Sequence, residues 1–228
     1  MLYLVPTPIG NLKDITLRAL EVLKDVDGII CEDTRRTGIL LSHYQISKPL
    51  LVINDFNEAL SIPRILQKLI SGQNLALVSD AGTPLISDPG YKLVRECLEQ
   101  NIAVDSLPGP SSVTLALTLS GLPPDKFTFL GYFPEKPGKR TKLLEALRTM
   151  NHELSTTYIA FVAPHKLIKT LEDMKEVYGE GAEVVLAHEL TKIHQSVKKQ
   201  SIEMWLKEFK KQRPKGEYIT LFNLSVNV

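Results

Sequence analysis

Residues 1–25, MLYLVPTPIGNLKDITLRALEVLKD, decide the fold class. LYLV (2–5) is a short apolar run of the kind that forms a fully buried strand. A turn with Pro6, Pro8 and Gly10 follows, and then Ile15, Leu17, Ala19, Leu20, Val22 and Leu23 recur at helical spacing over 15–26. Asp14 is expected to cap that helix. A strand, a turn and a helix in this order usually announce a phosphate-gripping loop, which needs glycines to let the backbone wrap a pyrophosphate. This turn has one glycine and two prolines, so it is a stiff wall of fixed φ instead.

The same alternation runs outward from this stretch. GIIC (28–31), LLVI (50–53), LALV (75–78) and IAVDSL (102–107) read as further buried strands, separated by helical stretches at 37–44, 59–70 and 91–100. That pattern argues for a parallel sheet with helices on its faces. A helix over 111–125 ends at Gly121 and two prolines, and the series then restarts. Strands are expected at 127–133, 158–162, 182–190 and 217–224, with helices at 139–150, 165–179 and 202–212. The fold class is therefore α/β, in two consecutive domains, 1–120 with a mostly parallel sheet and 121–228.

Bulk composition limits the function classes. The 228 residues carry a formal charge of +1, which leaves no overall nucleic-acid footprint. Residues 134–228 nevertheless hold 16 Lys and Arg against 12 acids, and residues 1–133 hold 11 against 14. Cys31 and Cys97 share no C-x-x-C spacing, and the five histidines show no ligand spacing, so no metal site is expected. No run approaches the ~18 apolar residues of a membrane span, and no signal peptide is recognisable. A cytoplasmic location is the expectation.

In an open parallel sheet, ligands gather at the carboxyl ends of the strands. Here the loops at those ends are PTPIGN, EDTRRTG (32–38), NDFNE (54–58), SDAGTPLISDPG (79–90) and PGPSS (108–112). The fourth is far longer than a strand-to-helix turn requires. Neither G-x-G-x-x-G after the first strand nor a G-x-x-x-x-G-K-[ST] occurs, which disfavours dinucleotide folds, P-loop enzymes and the common methyltransferases with a glycine-rich first turn.

VPTPIGNLKDIT (5–16), CEDTRRTGILL (31–41), LVSDAGTPLISDPGY (77–91), LPGPSS (107–112), SGLPPDKF (120–127) and HELTK (188–192) resemble the signature blocks of the tetrapyrrole methylase superfamily. Within it they resemble the branch of ribosomal RNA small subunit methyltransferase I. The resemblance implies two α/β domains with S-adenosylmethionine (SAM) in the cleft between them, and commonly a homodimer. It implies methylation of the ribose 2′-hydroxyl of a cytidine in the decoding region of small-subunit rRNA, free or in the assembled subunit. By position, Pro8, Ile9, Gly10, Asp80, Gly82, Thr83, Ile86, Ser111 and Ser112 would border the cofactor, with Val162, His188 and Gly216 from the second domain.

Methyl transfer is an in-line displacement in which alignment dominates, and a ribose hydroxyl benefits from a nearby proton acceptor. Asp33, Asp80, Glu189 and Lys192 are the catalytic candidates, with Asn11 facing the substrate. Arg35, Arg36, Lys139, Arg140 and Lys142 are candidate phosphate contacts. Tyr44, Phe56 and Tyr132 are candidate stacking residues. The second domain departs from the family pattern at Phe161-Val162, Lys166, His188 and Gln195-Ser196, and the first at Phe56. Two alternatives therefore stand beside the main reading: a SAM-binding, ribosome-associated protein with lost or altered activity, and a methylase of a small tetrapyrrole.

Overall fold

The computed structural model describes residues 1–54, 56–150 and 156–224. Asp55, within the NDFNE loop singled out above, lies outside the described residues. The chain forms two compact units, Met1–Ser111 and Ser112–Val228.

The first unit is a five-stranded, all-parallel sheet. Its strands are β1 (Leu2–Val5), β2 (Gly28–Cys31), β3 (Leu50–Val52), β4 (Leu75–Val78) and β5 (Val104–Ser106). They lie in the order β3-β2-β4-β1-β5. Four helices flank them: α1 (Leu17–Asp25), α2 (Thr34–His43), α3 (Glu58–Ile70) and α4 (Tyr91–Glu99). Because side chains alternate along a strand, each strand feeds two cores. Leu2, Leu4, Ile30, Leu75 and Leu77 pack with Ile65, Leu66 and Leu69 of α3 and Leu93 of α4. Val5, Ile29, Cys31, Ala76 and Val78 pack on the other face with Ala19 and Leu23 of α1 and Leu41 of α2. Burial on both faces is why these strands read as unbroken apolar runs.

The second unit opens with α5 (Ser112–Leu119) and contains a mixed sheet. Strands β6 (Phe127–Tyr132), β7 (Thr157–Val162), β8 (Glu183–His188), β9 (Ser196–Ser201) and β10 (Tyr218–Asn223) lie in the order β6-β7-β10-β8-β9. Only the β6–β7 pair is parallel. Helices α6 (Pro137–Met150), α7 (Pro164–Tyr178) and α8 (Ile202–Lys211) cover one face. There Leu144, Leu167, Leu171, Met174, Trp205 and Phe209 meet Tyr158, Ala160, Val184, Leu186 and Phe222. The buried Trp205 indole donates to the Val184 carbonyl at 2.9 Å, which fixes its ring.

Four details differ from the sequence reading. The cap of α1 is Thr16, whose hydroxyl accepts from the Ala19 N–H; Asp14 instead ends a short 3-10 turn, Leu12–Asp14. Helix α5 stops at Leu119, as Gly121 takes a left-handed φ of +68°, and it lies against β10 in the second unit. The compact units thus meet at 111/112, where the sequence reading set 120/121. Strand β9 was not anticipated, because SVKKQS carries almost no apolar signal. It is an edge strand held by backbone pairing to β8, and its exposed lysines suit an edge that must not recruit another strand.

Candidate functional site

In the first unit, β4, β1 and β5 are neighbours, so the loops that follow them are brought side by side. They are knitted together by hydrogen bonds. Thr7 and Gly82 exchange backbone bonds at 2.9 and 3.0 Å, and the Thr7 hydroxyl donates to the Ser79 carbonyl. The Ser79 hydroxyl donates to the Gly82 carbonyl, and the Thr83 hydroxyl reaches the Pro110 carbonyl at 3.0 Å. Pro8, Ile9, Gly82, Thr83 and Ser111 therefore belong to one platform, with Gly10 and Ile86 exposed at its margin, while Ser112 opens the second unit.

The loop over 79–90 is held in unusual backbone geometry. Leu85 and Ser87 have φ of +72° and +68°, which for residues with a Cβ costs about 1–3 kcal/mol each. Gly82 and Gly90 also have positive φ, and a Cβ on Gly90 would sit 2.7 Å from Leu77. Strained loops of this kind occur where a surface is shaped for a ligand.

Asp33 sits at the start of α2 as its cap, accepting from the Arg35 N–H at 2.8 Å. The Arg35 guanidinium also grips it, with Nη2 2.6 Å from Oδ2. Those two hydrogen bonds, the side-chain one foremost, hold its pKa at about 2. So held, Asp33 stays ionised well below neutral pH. Asp80 accepts from the Asp33 N–H and lies 3.4 Å from Arg36 Nε. Asn11 caps the 3-10 turn through the Lys13 N–H.

Asp88 is the residue the sequence reading passed over. It is half-buried in the same loop, and desolvation, with the Glu32 and Asp80 charges, lifts its pKa to about 6. That places one carboxyl where it can take and release a proton near neutrality. Nothing in D-P-G spacing signals this; it follows from which carboxylates the fold places nearby.

The second unit gathers a separate group at one end of its sheet. Glu189, with φ of +48°, accepts from Lys192 Nζ at 3.0 Å and from the Glu217 N–H at 2.9 Å. Lys192 also reaches Glu217 at 2.9 Å. Burial alone would raise the Glu189 carboxyl, yet the hydrogen bonds from Lys192 and Glu217 outweigh it and keep it ionised. Burial likewise opposes the Lys192 ammonium, but its bonds to Glu217 and Glu189 lift its pKa above the ordinary value. The pair is a fixed charge cluster, and neither member is poised to accept a proton at neutral pH. Glu217 is the third member, and no sequence spacing links it to the HELTK block.

His188 stacks on Tyr218 with centroids 4.3 Å apart, and its Nε2 lies 2.8 Å from the Lys215 carbonyl. Gly216, at φ +81°, fits under both: a Cβ there would lie 2.6 Å from Glu189 Oε1 and 2.9 Å from His188 Nε2. Gly216→Ala should therefore cost about 1–2 kcal/mol in urea unfolding and shift the His188 ring resonances. Val162 faces the core and pairs with Tyr218 of β10.

Among the phosphate candidates, Arg35 and Arg36 are largely exposed but engaged with Asp33 and Asp80, while Lys139 and Lys142 are exposed. Arg140 is a correction. It is 1% exposed, donates to Asp173 at 2.7 Å and to the Pro134 carbonyl at 2.9 Å, and so ties α6 to α7 instead of meeting solvent. Of the stacking candidates, Tyr44 donates its hydroxyl to the Leu12 carbonyl, whereas Phe56 and Tyr132 are exposed. Among the described residues, no group of three His, Cys, Asp or Glu is arranged to hold a metal ion, and no helix is long and apolar enough to cross a membrane.

Comparison with known proteins adds the family. A profile for Tetrapyrrole (Corrin/Porphyrin) Methylases matches residues 1–204. The protein called ribosomal RNA small subunit methyltransferase I in Thermotoga maritima is 46% identical over 216 residues, covering 95% of each chain. Its namesake in Escherichia coli O157:H7 is 48% identical over 223 residues, covering 96% of this chain and 76% of that one. Among solved structures, a diphthine synthase superposes with a TM-score of 0.76 at 14% identity, covering 100% of this chain and 90% of that one. Uroporphyrin-III-C-methyltransferase from Thermus thermophilus gives 0.67 at 18% identity, covering 97% and 93%. At those identities the two structures speak for the fold alone. With the profile spanning most of its length and relatives nearly half identical along almost all of it, this chain belongs to the tetrapyrrole methylase family.

Proposed function

We propose that this chain is a SAM-dependent methyltransferase of small-subunit ribosomal RNA, acting on the ribose 2′-hydroxyl of a cytidine in the decoding region. The observation that carries the reading is the platform of three interlocked loops in the first unit. Residues 6–10, 79–90 and 108–111 contain no Lys or Arg and two Asp, so the surface favours a sulfonium cation and disfavours a phosphate. Pro8, Ile9 and Ile86 offer apolar contact, while backbone groups around Gly82 and the first turn of α5 at Ser112 offer hydrogen bonds. These residues fit SAM, which when bound supplies a methyl group on an already activated leaving group.

Val162, His188 and Gly216 are proposed to add to cofactor affinity. The rRNA substrate is supported by the names of relatives that match over nearly the whole chain.

Within this reading the protein's own tasks are alignment and proton handling. Asp88, a residue outside the candidates the sequence offered for that role, accepts the 2′-hydroxyl proton. Lys192, held cationic by Glu189 and Glu217, orients an anionic or hydroxyl group of the substrate. Arg35, Arg36, Lys139 and Lys142 supply phosphate contacts that position the RNA without reading its sequence. A homodimer and a cytoplasmic location complete the proposal, and sedimentation equilibrium checks the first.

The direct test is mass spectrometry of small-subunit rRNA from strains with and without the gene. The expected result is the loss of one ribose methyl in the decoding region, restored by the wild-type gene. Identical modification in both strains would sink the reading.

A further inference from the structure

We propose that a pocket in the second unit seats one nucleotide of the RNA, its base against a wall of aromatic rings and its phosphates on Lys198, Arg213 and Lys215. The inference rests on the rRNA-methyltransferase reading and gives it a second point of contact, apart from the loop platform.

The pocket follows from strand register and helix period. His188 pairs with Ser196 across β8 and β9, and Leu186 with Lys198, so these four residues share one face. Tyr218 of β10 lies opposite His188. Helix α8 turns Trp205, Glu208, Phe209 and Gln212 toward the same space, at the i, i+3, i+4, i+7 spacing of a helix face. The segment Arg213–Lys215 completes the rim around a cavity of about 220 Å³.

Its size and charge select the ligand. Small-molecule pockets usually measure roughly 300–1,000 Å³, so this one suits a single ring better than an extended cofactor. The wall is rigid: His188 stacks on Tyr218, Phe209 meets Tyr218 edge-on at 6.1 Å, and Trp205 stacks on Phe209. Fixed aromatic surfaces are how proteins hold unpaired RNA bases.

The neighbouring lysines make the contrast. Lys199 is engaged by Glu183 at 2.6 Å and Lys207 by Glu203 at 2.7 Å. Lys198, Arg213 and Lys215 form no ion pair among the described residues, and Lys210 and Lys211 extend the basic surface beside them. The one carboxylate of the lining, Glu208, accepts from the Gln200 amide at 3.1 Å. Cations gathered round an aromatic wall call for an anionic, ring-bearing ligand. The cation-free platform of the first unit has the opposite preference.

The test uses the full chain and the triple variant Lys198→Gln, Arg213→Gln, Lys215→Gln. All three side chains are on the surface, and an unchanged urea midpoint verifies the fold. For small ribosomal subunits from the deletion strain, KM should rise about 10- to 100-fold, with SAM affinity unchanged. Binding of a single-stranded oligoribonucleotide, followed by anisotropy, should show a salt slope shallower by about two, since each lost phosphate contact removes about 0.7. Trp205 is the only tryptophan, so the same RNA should quench the intrinsic fluorescence of the wild type, while inorganic phosphate at equal ionic strength should not.

A wild-type KM and salt slope in the variant would overturn the proposal. So would weakened SAM binding, which would assign the pocket to the cofactor, and so would equal quenching by phosphate alone. If the wild type transfers no methyl to subunits, the functional reading fails, and anisotropy and quenching still decide the pocket by themselves.

Discussion

Replacing Asp88 by Asn should lower the rate of methyl transfer by about 10²- to 10⁴-fold, the range that general acid–base groups contribute. SAM affinity should change little, so the loss appears in kcat. Asp33 is held near pKa 2 by Arg35, and Asp80 is engaged by Arg36 and the Asp33 N–H. Asp88, pushed to about 6 by burial and by Glu32 and Asp80, is a carboxyl whose affinity for a proton suits neutral pH.

The sign of the pH dependence follows from that shift. An acceptor must be ionised, so wild-type kcat should fall as pH drops below about 6, and the Asn variant should lack that limb. For stability the direction is opposite. The folded chain binds this proton more tightly than an ordinary carboxyl of pKa 3.8, so Asp88 costs stability above about pH 6, and the cost vanishes below 3.8. The Asn variant should therefore melt higher than wild type at pH 8, by about 2 °C, and equally at pH 3.5. A kcat within a factor of three of wild type at every pH would remove Asp88 from the reaction.

Asp173→Ala should cost about 3–5 kcal/mol, read as a lower midpoint in urea unfolding. The substitution strands the Arg140 guanidinium, 1% exposed between α6 and α7, with only the Pro134 and Glu135 carbonyls to hold it. Lys169, 3.8 Å from the other carboxylate oxygen, is itself a cation and offers no replacement. Replacing both partners, Arg140→Met with Asp173→Leu, should recover most of the loss, since it removes the uncompensated charge along with the pair. If Asp173→Ala unfolds like wild type, the ion pair is not what holds these helices together.

These two residues mark where sequence reading stops. The strands of the first unit were legible nearly to the residue because burial on both faces leaves unbroken apolar runs such as GIIC and LALV. Strand β9 was not legible, since an edge strand needs only its backbone to pair and SVKKQS carries no apolar pattern. Arg140 in KRTK read as a candidate phosphate contact, and only the packing of α6 on α7 brings Asp173, 33 positions away, to meet it. Thr16 displaced Asp14 as the cap because the intervening residues close a separate 3-10 turn.

The sequence by itself determined the two α/β units, the stiff, glycine-poor turn after the first strand and the family, because strand burial, proline and long signature loops leave local marks in the chain. Only the tertiary structure decided which charged groups shift one another's proton affinity. Proton affinity depends on desolvation and on charges a few ångströms away, and residues such as Asp80 and Asp88, or Lys192 and Glu217, become neighbours only when strands and loops are packed.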